Sequence, residues 1–153
     1  MRLVPLTKGA YALVDDTDFE CVSGHSWALS VRGTAVSRID GRVITMHRFI
    51  LGLHKTRSPL IDHRNRNPLD NQRGNLRAAS NSQNSQNRGL QRTNRSGFKG
   101  VCWTPRWGWR ATISLDLRQK HLGHFADLIE AACAYNLAAK RMFGEFAVMN
   151  RMD

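Results

Sequence analysis

The amino-acid sequence predicts an α+β protein made of small antiparallel sheets and a few helices. In the front half, short apolar runs alternate with turn residues, and Asp40-Gly41 between two of them is a strong β-hairpin signal. In the rear half, three apolar runs precede a helical pattern that Asp127 should cap and Gly144 should end. We therefore expect a small antiparallel sheet with further short elements, a linker, and a three-stranded antiparallel sheet with one helix.

The front half is interpreted from its apolar spacing and its turn residues. Asp15 and Asp16 break the first strand, and Thr17 with Glu20 forms a capping-box pattern that begins a short helix. The predicted elements are, in order, a strand at 10–14, a helix at 17–22, strands at 26–31, 34–39 and 43–46, and a helix at 46–53.

The segment 61–77 carries the chemistry that the other elements are predicted to support. A short apolar strand ends in Asp62-His63, a long polar turn follows, and a second short strand leads to a helix start. Ser80 stands where the cap of that helix belongs. A strand–loop–strand–helix unit this small can bring Asp62, His63 and Asn84 to one point.

These three side chains suit the hydrolysis of a phosphodiester. A carboxylate and an amide oxygen are hard ligands, which favour Mg²⁺ or Mn²⁺. An imidazole, with an ordinary pKa of about 6.5, suits a general base that activates water. A metal held by oxygen ligands beside such a base can cleave a phosphodiester bond.

The same residues resemble the HNH nucleases in their His-Asn-Asn form. The pattern Asp-His-x-Asn-x-Asn-Pro-x-Asp-Asn-x-x-x-Asn-Leu-Arg is similar to the branch found in intron- and phage-encoded homing-type endonucleases. That family builds its site as a ββα metal unit. The resemblance, over about 46–88, implies that Asp62 and Asn84 bind one Mg²⁺ or Mn²⁺ and that His63 is the general base. It also implies that Asn75 holds the loop against this base through side-chain hydrogen bonds.

Other residues near the motif are candidates for contacts with phosphate. His47 stands before an Arg, as in many of these relatives, and would help to position the scissile phosphate; a packed or surface histidine is the alternative. Arg77 and Arg88 flank the motif and suit phosphate clamping, with ordinary surface charge as the alternative.

The remaining polar residues of the loop are assigned to turns. Asparagine tolerates left-handed backbone and bonds to its own backbone, and Asn65, Asn67 and Asn71 need do no more than this. Asp70, in its Pro-x-Asp-Asn context, is assigned the same role in preference to metal binding.

Charge and cysteine content narrow the class of protein. A net charge of +11 in 153 residues and a pI near 10.8 indicate a partner that is a polyanion, unless the cations merely solvate the surface. The three cysteines form no Cys-x-x-Cys pair, so zinc is not expected. Neither a signal peptide nor an apolar run of about 18 residues is apparent, which favours a cytoplasmic protein without membrane contact.

The rear half is predicted as a separate domain at 97–150, joined to a nuclease domain at 1–88 by a basic linker at 89–96. The linker is too polar to fold alone. Strands are expected at 98–104, 109–115 and 120–125, with the helix running from Asp127 to about 143. Trp103 and Trp109 are assigned to core packing. Strand alternation turns Arg110 and Thr112 away from the helix, toward a ligand.

The rear half also resembles the AP2/ERF DNA-binding domain. The resemblance rests on Ser-Gly-Phe-Lys-Gly-Val-x-Trp from Ser96, Trp-Arg-Ala-x-Ile from Trp109, Leu-Gly-x-Phe from Leu122 and an Ala-rich helix from Glu130. That family lays its sheet in the major groove of DNA. Plant members carry Arg at the positions of Cys102 and Thr104, so bidentate base recognition is reduced here. The DNA contacts that this assignment predicts are Arg106, Trp107, Arg110, Thr112, Arg118, Lys120 and His121.

The leading hypothesis is a metal-dependent endonuclease that cuts duplex DNA. One such site cuts one strand, so a monomer should nick, and a double-strand break would need a second site or a dimer. The alternative is a non-catalytic, sequence-specific DNA-binding regulator that keeps a relic nuclease fold. A third hypothesis, an RNA-directed protein, would use the Trp residues for stacking.

Overall fold

The computed structural model describes residues 1–56, 59–116 and 118–152. The chain is α+β, with several small antiparallel sheets, as predicted. It divides into two compact units, Met1–Ser80 and a second that begins at Asn81. Within the described residues, no helix combines the length and apolarity that crossing a membrane requires.

The first unit contains short strands that pair with near neighbours in the chain. β1 pairs with β2, β4 lies between β3 and β5, and β6 pairs with β7, all antiparallel. The elements are β1 (Arg2–Pro5), β2 (Tyr11–Val14), α1 (Asp16–Ser23), β3 (Ala28–Leu29), β4 (Ala35–Ile39), β5 (Arg42–Thr45), α2 (Met46–Ile50), β6 (Leu60–His63) and β7 (Leu76–Ala79).

The predicted hairpin at Asp40-Gly41 is confirmed. Both residues have positive φ, 49° and 74°, and Ile39 pairs with Arg42. The predicted start of α1 was one residue late, because the helix begins at Asp16. Asp15 is its N-cap residue, but the Asp15 carboxylate makes no capping bond within the helix.

The core of the first unit lies between these sheets and α1 and α2. Val14, Val22 and Met46 are fully buried, and Trp27 joins them with its indole N–H donated to the Val22 carbonyl at 2.8 Å. This core supports one side of the β6–β7 hairpin's loop, since Leu69 packs against it.

The second unit contains α3 (Asn81–Gln86), the sheet strands β8 (Val101–Thr104), β9 (Gly108–Leu115) and β10 (Arg118–Phe125), and α4 (Leu128–Phe143). β9 is the central strand, with β8 and β10 antiparallel to it. The Asp127 carboxylate accepts from the backbone N–H groups of Ile129 and Glu130, so the predicted cap is confirmed.

Small residues let α4 lie close on the sheet. Ala131, Ala132 and Ala139 are fully buried against it, together with Tyr135. A Cβ at Gly100 would lie 2.1 Å from the Tyr135 ring, so this approach requires glycine. Trp103 does not follow its predicted core assignment: 57% of it is exposed, because it stands on edge strand β8 and meets Trp109 edge-on.

Candidate active site and nucleic-acid interface

The β6–β7 hairpin places Asp62 directly opposite Arg77. Both side chains are buried, with exposed fractions of 6% and 7%. Arg77 Nε donates to Asp62 Oδ2 at 2.9 Å, and Arg77 Nη2 lies 2.8 Å from the same oxygen. The predicted metal ligand therefore has a buried cation beside it, and Arg77, a predicted phosphate contact, lies inside the unit.

His63 ends β6 and is also buried. Its ring meets that of His47 edge-on, with 5.1 Å between centroids, and its Nε2 lies 3.5 Å from Asn71 Oδ1. Burial lowers the pKa of His63, while the contact with Asn71 and the charges of Asp62 and Asp70 act to raise it. The imidazole is therefore neutral at pH 7, the state in which it can accept a proton.

His47 lies beside this ring on α2. Its Nε2 is 3.0 Å from Thr45 Oγ1. Burial, followed by the charges of His63 and Arg48, lowers the pKa of His47 to about 4. In the free protein His47 is thus a neutral neighbour of His63.

Asn75 joins distant parts of the loop between β6 and β7. Its Oδ1 accepts from the Asn65 backbone N–H at 3.0 Å. Its Nδ2 donates to the Asp70 carbonyl at 2.7 Å and to Asn65 Oδ1 at 3.0 Å. These three bonds fix the loop directly after His63.

The loop asparagines fall into two kinds. Asn65 and Asn67 are exposed and accept from backbone N–H groups two residues ahead, which is the turn role that their sequence predicts. Asn71 is only 1% exposed and faces His63. Assigning Asn71 to turn formation alone was wrong, because the loop folds back into the unit at this residue.

Two acidic residues of the α1 region hold the far end of the loop. Asp18 receives two bonds from the Arg73 guanidinium, at 2.9 and 2.8 Å, and Arg73 also donates to the Ile50 carbonyl. Asp15 accepts from the Arg73 backbone N–H and from Gln72 Nε2. The backbone bond from Arg73 is the main reason that the pKa of Asp15 is lowered. The loop is therefore anchored at both ends.

Asn84 and Arg88 belong to the second compact unit, whereas Asp62 belongs to the first. Asn84 is half-buried on α3, and Arg88 is exposed just beyond it. Lys99 Nζ donates to the carbonyls of Gln86 and Arg88, each at 2.6 Å. The carboxyl end of α3 is thus held by a lysine of its own unit.

The face of the β8–β10 sheet that points away from α4, here called the outer face, forms a concave depression of about 470 Å³. Arg110 Nη2 lies 3.4 Å from Cys102 Sγ in this face. Four predicted DNA contacts line the depression together with three further residues: Trp107, Arg110, Thr112 and His121, with Thr104, Gln119 and His124.

His124 was missed by the sequence analysis. The register of β10 against β9 shifts between His121 and Gly123, so His124 lies opposite Arg110. Its ring is 4.6 Å from that of His121 and 6.0 Å from that of Trp107. Strict alternation would have placed Gly123 there, and no sequence signal marks the bulge except the glycine itself.

Of the other predicted contacts of the sheet, Arg106 lies next to the outer face, whereas the prediction that Lys120 belongs to this face was wrong. The Arg106 guanidinium stacks over the Trp107 ring at 4.8 Å. Arg118 and Lys120 are exposed on edge strand β10, where Lys120 pairs with Ile113. Since Ile113 is buried beneath α4, Lys120 leaves the sheet on the side opposite to His121.

Comparison with known proteins gives two clear relatives. The chain is 33% identical over 150 residues to an uncharacterised HNH endonuclease of Acanthamoeba polyphaga mimivirus, covering 95% of this chain and 78% of the relative. It is 35% identical over 88 residues to Protein 3.8 of Escherichia phage T7, covering 57% of this chain and 72% of that protein. No family model matches the sequence, and no solved structure matches it. The nearly full-length similarity to the mimivirus protein shows that this chain belongs to the HNH endonuclease family.

Proposed function

We propose that this protein is a metal-dependent endonuclease of the homing or phage type that hydrolyses phosphodiester bonds of duplex DNA. The observation that carries the proposal is the buried Asp62-His63 pair at the end of β6, with the loop after it fixed by Asn75. The family name supports a nuclease, and the net charge of +11 favours a polyanionic substrate.

The proposed metal ligands are the Asp62 carboxylate and the Asn84 side-chain oxygen. Among the described residues, no group of three or more His, Cys, Asp or Glu side chains could hold an ion. A sparse set of oxygen ligands fits Mg²⁺, which keeps several waters and takes ligands from substrate phosphates. Mn²⁺ is the alternative ion. When bound, one such ion would stabilise negative charge on the phosphate and on the leaving 3′ oxygen.

Side chains of the first unit would activate the water that attacks the phosphate. His63 is neutral and buried at pH 7, so its lone pair can take a proton from a water that attacks the phosphorus in line. Asn75 keeps the loop after His63 closed by its bonds to Asn65 and Asp70. His47, in contact with the His63 ring, would help to position the scissile phosphate.

The second unit is proposed to bind the duplex, in the manner of an AP2/ERF-like domain, through the outer face of its sheet. Arg110 lies in the depression, and Arg106 lies beside it over the Trp107 ring. Lys120 leaves the sheet on the α4 side, so that Lys120 and Arg118 would add positive charge at the edge strand β10 and not in the depression. Arg88 is exposed and suits a phosphate contact, whereas Arg77 would contact phosphate only after leaving Asp62. One site per chain implies a nick in one strand, and no oligomer is required.

One observation favours the alternative, a DNA-binding regulator without catalysis. Arg77 already neutralises the Asp62 carboxylate, and a cation so close lowers the affinity of that carboxylate for a metal. The regulator hypothesis predicts duplex binding without cleavage.

The test is incubation of supercoiled plasmid with the purified protein and Mg²⁺, with EDTA as the metal-free control. We expect open-circle product from the wild type and none from His63→Ala. Asn67→Ala, in the same exposed loop, should cut like the wild type. Duplex binding by both wild type and His63→Ala in a mobility-shift assay, with no cleavage by either, would refute the nuclease and support the regulator.

A further inference from the structure

A large cleft of the second unit lies directly beside the outer face. It is bounded by α3, the segment 88–94, β9 and α4, has a volume of about 920 Å³, and is here called the side cleft. Thr112 and Gln119 line both the side cleft and the depression of the outer face, with Gln119 Nε2 3.5 Å from Thr112 Oγ1. A molecule bound on the outer face therefore reaches the side cleft across these two side chains.

The interior of the side cleft is aromatic and apolar. Tyr135 and Phe143 of α4 line it together with Ile113 of β9, and all three are buried. The Gly100 carbonyl accepts from the Thr112 N–H at 2.8 Å, and a Cβ on Gly100 would lie 2.1 Å from the Tyr135 ring. Because glycine has no side chain, the aromatic wall begins next to Thr112, the residue that the side cleft shares with the outer face.

Tyr135 carries a polar group that the fold does not use. Its exposed fraction is 3%, and its hydroxyl makes no hydrogen bond to the part of the chain that the structure describes. Burial raises the pKa of Tyr135 to about 12, so the hydroxyl stays protonated at pH 7 and can both donate and accept. A buried hydroxyl without a partner is unfavourable, and phenylalanine would fill the same space without it. The hydroxyl is therefore available to a molecule that enters the side cleft.

The rim of the side cleft is polar and carries a cation. Arg88 lines it and is exposed, and among the described residues of the lining Asp116 alone is acidic. Amide and hydroxyl side chains complete the rim: Asn81, Ser82, Ser85, Gln91, Thr93 and Ser114. Aromatic walls suit a nucleobase, hydrogen-bonding groups suit its edge, and a guanidinium suits the phosphate beside it. The volume lies in the usual range for clefts that hold a small organic molecule.

We propose that the side cleft takes one unstacked nucleotide of the DNA that lies on the outer face, with its base against the rings of Tyr135 and Phe143. The Tyr135 hydroxyl bonds to the edge of that base, and Arg88 meets its phosphate. The proposal rests on the proposed function, because that function puts DNA on the outer face. It adds a preference for DNA with an unpaired nucleotide, since a base already outside the stack enters without the cost of unpairing.

Three synthetic duplexes of the same flanking sequence test this preference. One is fully paired, one carries a single extra unpaired thymidine, and one carries an abasic unit in place of that thymidine. Binding is measured by fluorescence anisotropy in EDTA, which prevents metal-dependent cleavage. The wild type should bind the duplex with the unpaired thymidine about 10-fold or more tighter than the paired duplex. The abasic duplex bends as easily but offers no base, so it should lose most of this gain.

Variants of the side cleft should change the preference and not the binding of paired DNA. Ser85→Trp puts an indole into the side cleft and should abolish the preference. Leu137→Trp adds the same ring on the exposed side of α4, outside the lining, and should behave like the wild type. Tyr135→Phe keeps the ring and should reduce the preference by roughly 2–10-fold, the effect of one hydrogen bond.

Permanganate, which oxidises unpaired thymine, gives an independent readout of where the base lies. In free DNA the extra thymine is reactive. Saturating wild-type protein should protect it, and so should Leu137→Trp. Saturating Ser85→Trp should leave it reactive, because the base then has no place to enter.

The outcomes separate the two proposals. Equal affinity of the wild type for the paired duplex and the duplex with the extra thymidine overturns the role of the side cleft and leaves duplex binding in place. Equal affinity for the thymidine and abasic duplexes, or a preference that Tyr135→Phe retains in full, overturns it as well, even if Ser85→Trp fails to fold. If the preference is found but plasmid is never nicked in Mg²⁺, the side cleft stands and the nuclease function fails. If the wild type binds none of the three duplexes, both proposals fail.

Discussion

Arg77 and Asp62 face each other across the β6–β7 hairpin, with Arg77 Nη2 2.8 Å from Asp62 Oδ2 and both side chains buried. A buried pair of this kind is costly to break on one side only, because the remaining charge stays out of water. Arg77→Met should therefore lower the free energy of unfolding by roughly 3–5 kcal/mol. Urea denaturation would measure this. The double variant Asp62→Leu with Arg77→Met should recover much of this stability, because no unpaired charge is left buried. If Arg77→Met alone lowers the free energy of unfolding by less than about 1 kcal/mol, solvent screens the attraction between the two charges as it does for an exposed ion pair.

The stability of the first unit should decrease in mild acid because of His47. Its pKa is lowered from 6.5 to about 4 in the folded protein, so between these values the unfolded chain binds a proton that the folded chain does not. Stability is then full above pH 6.5 and falls as the pH drops toward 4, by up to roughly 3 kcal/mol. His47→Gln does not titrate, and its melting temperature should decrease less than that of the wild type between pH 7 and 4.5. Parallel curves would contradict the assignment.

Removal of the Asn75 side chain should loosen the loop between β6 and β7. Asn75→Ala loses one accepted and two donated hydrogen bonds, which we expect to cost about 1–3 kcal/mol. Limited proteolysis should then cut the segment 64–74 faster than in the wild type. Asn67→Ala removes only one turn bond and serves as the control, so equal cleavage of the two variants would refute a special role for Asn75.

Two glycines of the second unit allow a test of the packing between α4 and the sheet. Gly97 and Gly100 have nearly the same positive φ, 78° and 76°, but only Gly100 has the Tyr135 ring within reach of a Cβ. Gly97→Ala should cost roughly 1 kcal/mol, for the backbone alone. Gly100→Ala should cost at least about 1–3 kcal/mol more, since both the Tyr135 ring and the Thr112 carbonyl would have to move. Chemical denaturation checks the difference, and equal losses would show that the packing is loose.

The salt dependence of duplex binding can show which face of the second unit contacts the DNA. If Arg110 neutralises a phosphate or contacts a base in the outer face, Arg110→Gln should weaken duplex binding, and a phosphate contact would reduce the salt slope by about 1. Lys140 lies on α4 and is exposed, so Lys140→Gln is the matched control for loss of one charge. Titrations at several salt concentrations would measure both. A larger effect for Lys140 than for Arg110 would place the duplex on the helical side.

Local signals in the sequence predicted local structure well. The Asp40-Gly41 turn, the Asp127 cap and the Gly144 stop each depend on a few adjacent residues, and each was found at the predicted position. The strand that ends in Asp62-His63 was predicted for the same reason.

Features that depend on contacts between distant segments were not predictable. The burial of Asn71 results from pairing with Leu13, and the anchoring of Arg73 results from Asp18, 55 residues earlier. Arg77 looked like a surface cation because its partner, Asp62, lies on another strand. The β-bulge that places the His124 side chain on the outer face has no signal in the sequence other than Gly123.

The hydrogen bonds from Lys99 Nζ to the carbonyl of Gln86, the last residue of α3, and to that of Arg88 just beyond it determine where the chain can be divided into fragments. An engineered fragment that stops at Arg88 would keep the Asn84 helix but lose the ammonium that holds its end. A fragment that starts at Asn81 would retain both. A division of this chain into two fragments should therefore be made before α3, because the helix and the lysine that holds its end then remain in the same fragment.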